Sequence, residues 1–389
     1  MIDPNPSTPD AAAARRVVAD YETVALVLQG GGALGSYQAG VYEALAEAGI
    51  APNRYAGISI GAINVALIAG NAPTRRVERL RQFWETVCQP GALAWLGDIW
   101  ASVPGLRGLA SSIAAGRALV EGQPGFFALR MPPPLPGVDL PPGRVGIYDT
   151  GELARTLDRL VDWDLVNAAG ETVALGAVDV ESGNFAYFDS ATCRLDARHV
   201  MASGALPPGF PPIEIDGRWY WDGGIVSNTP LEYVLEAQPR LDTLAFQVDL
   251  WSARGEVPRR IDDALEREKD IRFSSRTRKS TDSTLDRQRL RRAIAKALPQ
   301  LPESLYGSEL WALLEENACR KVFNVVHLIY RSRAFQGHFK DYEFSLETMR
   351  EHWRAGYEDT RASLARPDFL ARPRGESGVA AHDIHRHGR

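Results

Sequence analysis

Continuous apolar runs alternate with helical periodicity along the first half of the chain. "TVALVLQ", from Thr23, has the pattern of a strand buried on both faces, and "SYQAGVYEALAEAG" follows as a helix that ends at Gly49. "YAGISIGAINVALIAG" predicts a second strand, a turn and a second helix, and "RRVERLRQFWETVC" predicts an amphipathic third helix. Strands joined to helices by short connections favour a parallel sheet covered by helices.

The strand pattern returns after a proline-rich stretch. "MPPPLPGVDLPPG", residues 131–143, predicts a stiff connector, either a surface loop or a peptide-docking segment. Strands are then predicted at "TVALGAVDV", "NFAYFDS" and "RWYWDGG", and "TLAFQVDLW", residues 243–251, is predicted to be the last strand of the main sheet. Beyond it the chain becomes helical and mixed in charge, with one strand-like segment, "KVFNVVHLIYRS".

These shifts predict four regions. Residues 1–20 are rich in Pro, Ala and Asp and are predicted to be a disordered tail. Residues 21–252 form the α/β domain, in which residues 95–143 are an insertion or lid with the proline-rich loop. Residues 253–366 form a mostly helical extension, and residues 367–389 a polar, mobile tail.

Composition narrows the class of protein. A 389-residue chain with 45% hydrophobic and 24% charged residues is ordinary for a globular protein. The net charge of −5 argues against nucleic acid as the main partner. Three widely spaced cysteines fit neither a disulfide framework nor a zinc motif and suit a reducing compartment, so we expect a cytoplasmic protein. The longest near-apolar run, residues 56–70, is too short to span a bilayer, which leaves only peripheral contact with a membrane surface open.

The glycine-rich loop after the first strand has two interpretations. Gly30-x-Gly32-x-x-Gly35 matches the dinucleotide-binding fingerprint. That fingerprint needs a carboxylate about 20 residues further on to bind the ribose hydroxyls, but residues 53–55 are Asn-Arg-Tyr. We therefore interpret the loop as a set of backbone N–H donors for a transient oxyanion.

The second strand runs into G-I-S-I-G, residues 57–61. A serine on a sharp strand-to-helix turn projects its hydroxyl outward, and flanking glycines avoid steric clashes. The N-terminus of the next helix favours developing negative charge. The pattern indicates Ser59 as a nucleophile, and a glycine-rich packing turn is the alternative.

Two residues are the main candidates for the base that activates Ser59. Asp222 ends the aromatic strand "RWYWD" and enters a glycine turn, where partial burial would raise its pKa from near 4. His199, just before "VMASGALPPGFPP", is the best histidine, and His338 is a weaker loop candidate. His327, in "VFNVVHLIY", is better explained as a half-buried strand residue.

Four motifs in this order resemble a known family. "GGGALG", "GISIG", "ASGALPPGFPPI" and "DGG" look like the motifs of the patatin-like phospholipases, which are lipid acyl hydrolases. The resemblance covers residues 23–251, and the C-terminal part resembles an extension of a bacterial subgroup. It implies a three-layer α/β/α fold with a mostly parallel central sheet, a largely helical C-terminal extension, and hydrolysis of ester bonds in phospholipids or related lipids.

The resemblance also implies the site residues. Ser59 and Asp222 would form a catalytic dyad, and the backbone of Gly30, Gly31 and Gly32 would form the oxyanion hole. No metal or other cofactor is needed, and no cluster of Cys, His and Asp in the sequence suggests one. Two rivals remain open: an acyltransferase that uses the same serine with His199 as base, and a catalytically silent lipid-binding or regulatory protein.

Several features bear on the substrate, which we expect to be a lipid or another acyl ester. The family's glycine loop commonly carries Arg or Lys before its last glycine, where this chain has Leu34, so recognition of an anionic head group is open. The aromatic residues Trp95, Trp100, Phe126 and Phe127 would form an apolar lid or acyl groove, or simply a packed helical insertion. The basic stretch 254–296 would meet an anionic lipid surface or form a solvated helix.

Overall fold

A computed structural model describes residues 9–89, 122–135, 137–331 and 340–384. The strands of the described residues are β1 Thr23–Leu28, β2 Arg54–Ile58, β3 Ala128–Leu129, β4 Tyr148–Asp149, β5 Thr172–Asp179, β6 Phe185–Asp189, β7 Ile213–Ile215, β8 Arg218–Asp222, β9 Thr243–Asp249, β10 Phe323–Ile329 and β11 Val379–Asp383. The α-helices are α1 Pro9–Val18, α2 Ser36–Glu47, α3 Ile60–Ala69, α4 Arg76–Val87, α5 Gly151–Leu160, α6 Trp163–Val166, α7 Ala197–Ser203, α8 Leu231–Glu236, α9 Ile261–Ala297, α10 Glu309–Asn317, α11 Leu346–Leu364 and α12 Pro367–Leu370.

The central sheet is mostly parallel, as predicted. Its strand order is β11-β10-β9-β1-β2-β5-β8-β7, and β6 pairs with β5 off this path. Every neighbouring pair from β11 to β5 is parallel, whereas β6, β7 and β8 pair in the antiparallel sense. The short strands β3 and β4 form a separate antiparallel pair.

Helices cover both faces of this sheet. Leu26 and Leu28 of β1 belong to a large core that includes residues of α2, α3, α4 and α11. Ala25 and Val27 face the other way, into a smaller core with residues of α8 and α9. This alternation along a fully buried strand is the two-residue period of β structure, and it produces the predicted three-layer α/β/α fold.

The C-terminal region has the helices that the sequence predicts, and it also extends the sheet. β10 pairs in parallel with β9 from Phe323, opposite Thr243, to Ile329, opposite Asp249. β11 then pairs in parallel with β10. The prediction that residues 243–251 form the last strand of the main sheet is therefore wrong. Its failure has a simple reason: the long helical segment between β9 and β10 conceals in the sequence that the two strands are neighbours.

Both predicted tails contain regular structure. Residues 9–18, within the predicted disordered tail, form α1, and its Ala14 and Val18 are buried in the large core. Residues 367–384, within the predicted mobile tail, include α12 and β11. Both predictions are wrong for these residues because composition measures local polarity but not the few apolar contacts and strand hydrogen bonds that fix a terminus.

The predicted insertion is described only in part. Residues 90–121, with Trp95 and Trp100, lie outside the described residues. In the proline-rich connector Met131, Leu135 and Val138 are exposed, which agrees with a surface loop. No helix among the described residues has the length and apolar character needed to cross a membrane.

Candidate active site

Ser59 lies on a strained turn between β2 and α3. Its φ of 57° and ψ of −124° place a non-glycine residue in a conformation that L-residues rarely adopt. The turn is tight: a Cβ on Gly61 would lie 2.3 Å from the Leu28 carbonyl oxygen, and one on Gly57 would lie 2.5 Å from the Gly61 carbonyl carbon. Both glycines of the pentapeptide are therefore required by close backbone approach, and Ser59 is held at the N-terminus of α3.

A second serine, Ser203 at the end of α7, fixes this turn. The Ser59 backbone N–H donates to the Ser203 hydroxyl oxygen at 3.1 Å, and the Ser203 hydroxyl donates to the Gly176 carbonyl of β5 at 2.6 Å. Ser203 is fully buried. The motif "ASGALPPGFPPI" contains this serine, but its role has no signal in the sequence, because only the fold shows that α7 ends beside Ser59.

One strand brings Ser59 and Asp222 together. β6 covers one edge of β5, so β2 and β8 must share the other edge. β2 ends with Ile58 opposite Gly176, and β8 ends with Asp222 opposite Ala177, the next residue of β5. Because β2 runs parallel to β5 and β8 antiparallel, their C-terminal ends meet head-on at this point.

The carboxylate of Asp222 is buried. It accepts a hydrogen bond from the backbone N–H of Gly224 at 2.7 Å. Burial raises the pKa of Asp222 to about 6, and the neighbouring Ser59 hydroxyl and the Gly224 N–H oppose the rise. At neutral pH the group is therefore ionised and is a better proton acceptor than an ordinary aspartate.

The glycine loop lies directly beside the serine. A Cβ on Gly30 would lie 3.0 Å from the Ser59 Cβ. None of the described residues accepts a hydrogen bond from the backbone N–H of Gly30, Gly31 or Gly32. Gly32 has a φ of +56°, a left-handed conformation that favours glycine. The loop thus presents a row of backbone donors next to the hydroxyl.

Two side chains hold the Gly30 carbonyl on the opposite side of this loop. Asn228 Nδ2 donates to it at 3.0 Å and Trp251 Nε1 at 2.9 Å. Asn228 follows the Asp222 turn, and a Cβ on Gly224 would lie 3.0 Å from its Oδ1. Both supporting residues were missed in the sequence, where they are 198 and 221 residues away from Gly30.

Among the histidines considered as candidate bases, those that the structure describes make contacts with residues other than Ser59. His199 occupies the third position of α7, where its Nδ1 lies 3.0 Å from the backbone nitrogen and 2.9 Å from Oδ1 of Asp196 in a capping box. Its ring packs edge-on against Phe188. His327 is half-buried on β10, as expected, with Nδ1 3.4 Å from Asp249 Oδ2. His338 lies outside the described residues.

Aromatic side chains build a cluster that is buried or half-buried. It consists of Phe126, Phe127, Tyr148, Phe210 and Phe344, with neighbouring ring centroids 4.9 to 6.5 Å apart. Burial raises the pKa of Tyr342 to about 12, and the charges of Asp341, Tyr148 and Asp222 add to the rise. Phe126 and Phe127 are thus packed inside the protein.

Leu34 faces the interior. Its side chain is fully buried in the large core and does not reach the surface. The described residues contain no group of three or more His, Cys, Asp or Glu side chains arranged to hold a metal ion.

The comparisons with known proteins agree with this architecture. The profile of the patatin-like phospholipases matches residues 26–235, more than half of the chain, and a second profile, described as patatin phospholipase, matches residues 271–376. The chain therefore belongs to the patatin-like phospholipase family. Membership implies lipid acyl hydrolase activity, and proteins of this family act on lipid substrates.

A solved structure similar to this chain is that of VipD from Legionella pneumophila. It has 15% sequence identity and a TM-score of 0.40, over 94% of this chain and 72% of that chain. At this distance the likeness carries no functional argument. A search among curated proteins returned no match.

Proposed function

We propose that this protein is a serine lipid acyl hydrolase of the phospholipase A, lysophospholipase or esterase type, which forms an acyl-enzyme on Ser59 with Asp222 as the base. The meeting of Ser59 and the buried Asp222 at the ends of β2 and β8, where the Ser59 hydroxyl lowers the pKa of the carboxylate, is the observation that carries this proposal. A dyad needs its nucleophile and base within hydrogen-bonding reach, and it needs a base whose pKa lies near the working pH. Asp222 meets the second requirement because burial raises its pKa to about 6.

In the acylation step, Ser59 Oγ attacks the ester carbonyl carbon while its proton passes to Asp222. The carbonyl oxygen becomes an oxyanion and accepts hydrogen bonds from the backbone N–H groups of Gly30, Gly31 and Gly32. The tetrahedral intermediate then collapses: the C–O bond to the alcohol breaks, and the leaving oxygen takes the proton from Asp222. The alcohol departs and the acyl group remains on Ser59.

In the deacylation step, a water molecule takes the place of the alcohol. Asp222 accepts a proton from the water as its oxygen attacks the acyl carbon, and the same N–H groups bind the second oxyanion. Collapse breaks the bond to Ser59 Oγ, which recovers its proton from Asp222. The products are the carboxylic acid and the free enzyme.

The chemistry of the family favours a lipid ester as the substrate, but Leu34 does not recognise its head group. Because this side chain is fully buried, it has no surface to offer a phosphate or sugar. We expect neutral esters and lysophospholipids to react at least as well as anionic phospholipids.

Fluorophosphonate labelling tests the nucleophile. The protein should be labelled at one serine and should release fatty acid from a panel of phospholipids, lysophospholipids and neutral esters, and Ser59→Ala should lose both properties. Ser363→Ala is a matched control, because Ser363 is also buried and donates only to a backbone carbonyl of its own helix at 2.9 Å. Labelling or hydrolysis that persists in Ser59→Ala would refute the proposal. Transfer of the acyl group to thiol acceptors in preference to water would favour the acyltransferase alternative.

A further inference from the structure

The outer side of the glycine loop touches the C-terminal extension, which the proposed mechanism does not use. The contact is made by the backbone of residue 341. A Cβ on Gly32 would lie 2.2 Å from the Asp341 carbonyl oxygen, and the Ala33 N–H donates to this oxygen at 2.9 Å. The backbone of the extension therefore lies directly against the loop that carries the proposed oxyanion donors.

Ion pairs to α9 hold residues 340 and 341 in place. The Lys340 ammonium group lies 3.0 Å from Glu266 Oε1 and 2.7 Å from Asp270 Oδ1, and its side chain is only 3% exposed. Lys269 Nζ lies 3.0 Å from both carboxylate oxygens of Asp341. A buried cation between two carboxylates is expensive to desolvate, so its partners fix its position closely.

Lys340 also reaches the loop through a tryptophan. Its ammonium nitrogen lies 5.3 Å from the ring centroid of Trp251, within the range of a cation–π contact. Phe273 of α9 packs on the same indole, with ring centroids 4.8 Å apart. The indole N–H donates to the Gly30 carbonyl at 2.9 Å. A continuous set of contacts thus runs from α9 through Lys340 and Trp251 to Gly30.

We propose that Lys340 is a positioning residue for the oxyanion loop, acting through Trp251, and that the extension is a working part of the active site. The inference rests on the proposed function, because it assigns Lys340 to the loop of that mechanism. It also gives the charged segment 254–296 a role inside the molecule. Glu266, Lys269 and Asp270 of α9 form ion pairs with residues 340 and 341.

The test compares turnover per active site for hydrolysis of p-nitrophenyl butyrate, with active sites counted by fluorophosphonate titration. Lys340→Met keeps the apolar length of the side chain and removes the charge. A loop displaced by a fraction of an ångström should lower kcat about 10- to 100-fold, with KM changed less than about twofold. The pH profile should keep its midpoint near the Asp222 pKa of about 6, because the dyad is held by other residues. Lys296→Met is the control. It removes an exposed ion pair between Lys296 of α9 and Glu376, and it should leave kcat within about twofold.

A double-mutant cycle tests the route through the indole. Trp251→Phe keeps an aromatic ring under the ammonium group but removes the donor to Gly30, and we expect kcat to fall about 3- to 10-fold. The double variant should be no slower than Lys340→Met alone, because both changes act on one contact. If the two losses multiply, Lys340 does not act through Trp251. If Lys340→Met does not fold, Trp251→Phe alone tests the inference. An unchanged kcat in Trp251→Phe then overturns it.

The same experiment separates this inference from the function on which it rests. A wild-type protein that neither reacts with the fluorophosphonate nor hydrolyses the ester refutes the proposed function. An active wild type whose kcat per active site is unchanged in Lys340→Met refutes the role of Lys340 and leaves the hydrolase intact.

Discussion

The serine–aspartate pair and the glycine loop lie side by side, but different lengths of chain hold them. Ser59 and Asp222 are placed by two neighbouring residues of β5, and Ser203 completes the support. All these residues fall within the segment 26–235 that matches the family. The Gly30 carbonyl of the glycine loop accepts from Asn228, within that segment, and from Trp251, beyond it, and the Ala33 N–H donates to Asp341 of the extension.

The difference shows which part of an active site can be positioned by the strands of a sheet alone. A sheet places two residues together wherever two strands end on one edge, and it needs no further contacts to do so. A loop whose backbone N–H groups point outward is not held by strand pairing. Its carbonyl groups therefore need other hydrogen-bond partners. Changes at the dyad should therefore alter proton transfer, whereas changes at the loop should alter only the stabilisation of the oxyanion.

The largest effect is expected for Asp222→Asn. The amide keeps the shape of the side chain but cannot accept the serine proton, so kcat for p-nitrophenyl butyrate should fall about 10²- to 10⁴-fold. Asp216→Asn, on an exposed aspartate with a φ of 51° in the β7–β8 turn, is the control and should be fully active. Activity retained in Asp222→Asn would remove the aspartate from the mechanism and bring His199 forward as the base.

Ser203→Ala should have the next largest effect. It removes the acceptor of the Ser59 N–H and the donor to Gly176, so the strained turn loses the side chain that binds its backbone. We expect kcat to fall about 10- to 100-fold through displacement of the nucleophile. The free energy of unfolding should fall by about 1 to 3 kcal/mol, because a buried N–H loses its partner. Normal turnover together with lower stability would mean that Ser203 supports the fold and not the nucleophile.

Asn228→Ala should act on the loop and leave the dyad unchanged. It removes one of the two donors to the Gly30 carbonyl, and we expect kcat to fall about tenfold while KM stays the same. Measured across pH, the variant should keep the midpoint of the wild-type profile. A shifted midpoint would show that Asn228 acts on Asp222 and that the two halves of the site are not separate.

The smallest effect is that of pH near neutrality, where kcat/KM should fall only about twofold between pH 7 and pH 6. Asp222 must be ionised to act as a base, so kcat/KM should rise with pH, reach half its maximum near the Asp222 pKa of about 6, and fall about tenfold per unit below it. The stability contribution has the opposite sign. The folded state binds this proton more tightly than the unfolded chain does, so the contribution is present below about pH 4 and is lost as pH rises through about 6.

The loss of stability over that interval amounts to at most about 3 kcal/mol. Denaturant titrations at several pH values would measure it, with Asp222→Asn as the reference that lacks the ionisable group. A wild-type protein whose activity is flat between pH 5 and pH 8 would contradict the assignment of a raised pKa to the base.

Part of the site could be read from the sequence and part could not. Ser59 and the glycine loop can each be predicted from a short stretch of sequence, since a strand followed by a glycine turn and a helix has a short-range pattern. Asp222 was found by its turn and by the resemblance, but its distance from Ser59 was not predictable. Ser203, Asn228 and Lys340 have no local signal, because their partners, the Ser59 N–H, the Gly30 carbonyl and the Trp251 ring, lie far away in the chain.

The sequence by itself determined the class of fold, the strands β1, β2, β5, β6, β8 and β9, the helices α2, α3 and α4, and the family to which the chain belongs. Those properties depend on hydrophobic period and on short motifs, both of which are local. Only the tertiary structure decided that β10 and β11 extend the sheet, that His199 caps a helix, and that the extension reaches the glycine loop. These properties depend on which strands pair and which helices pack, and such long-range contacts leave no periodic trace in the chain.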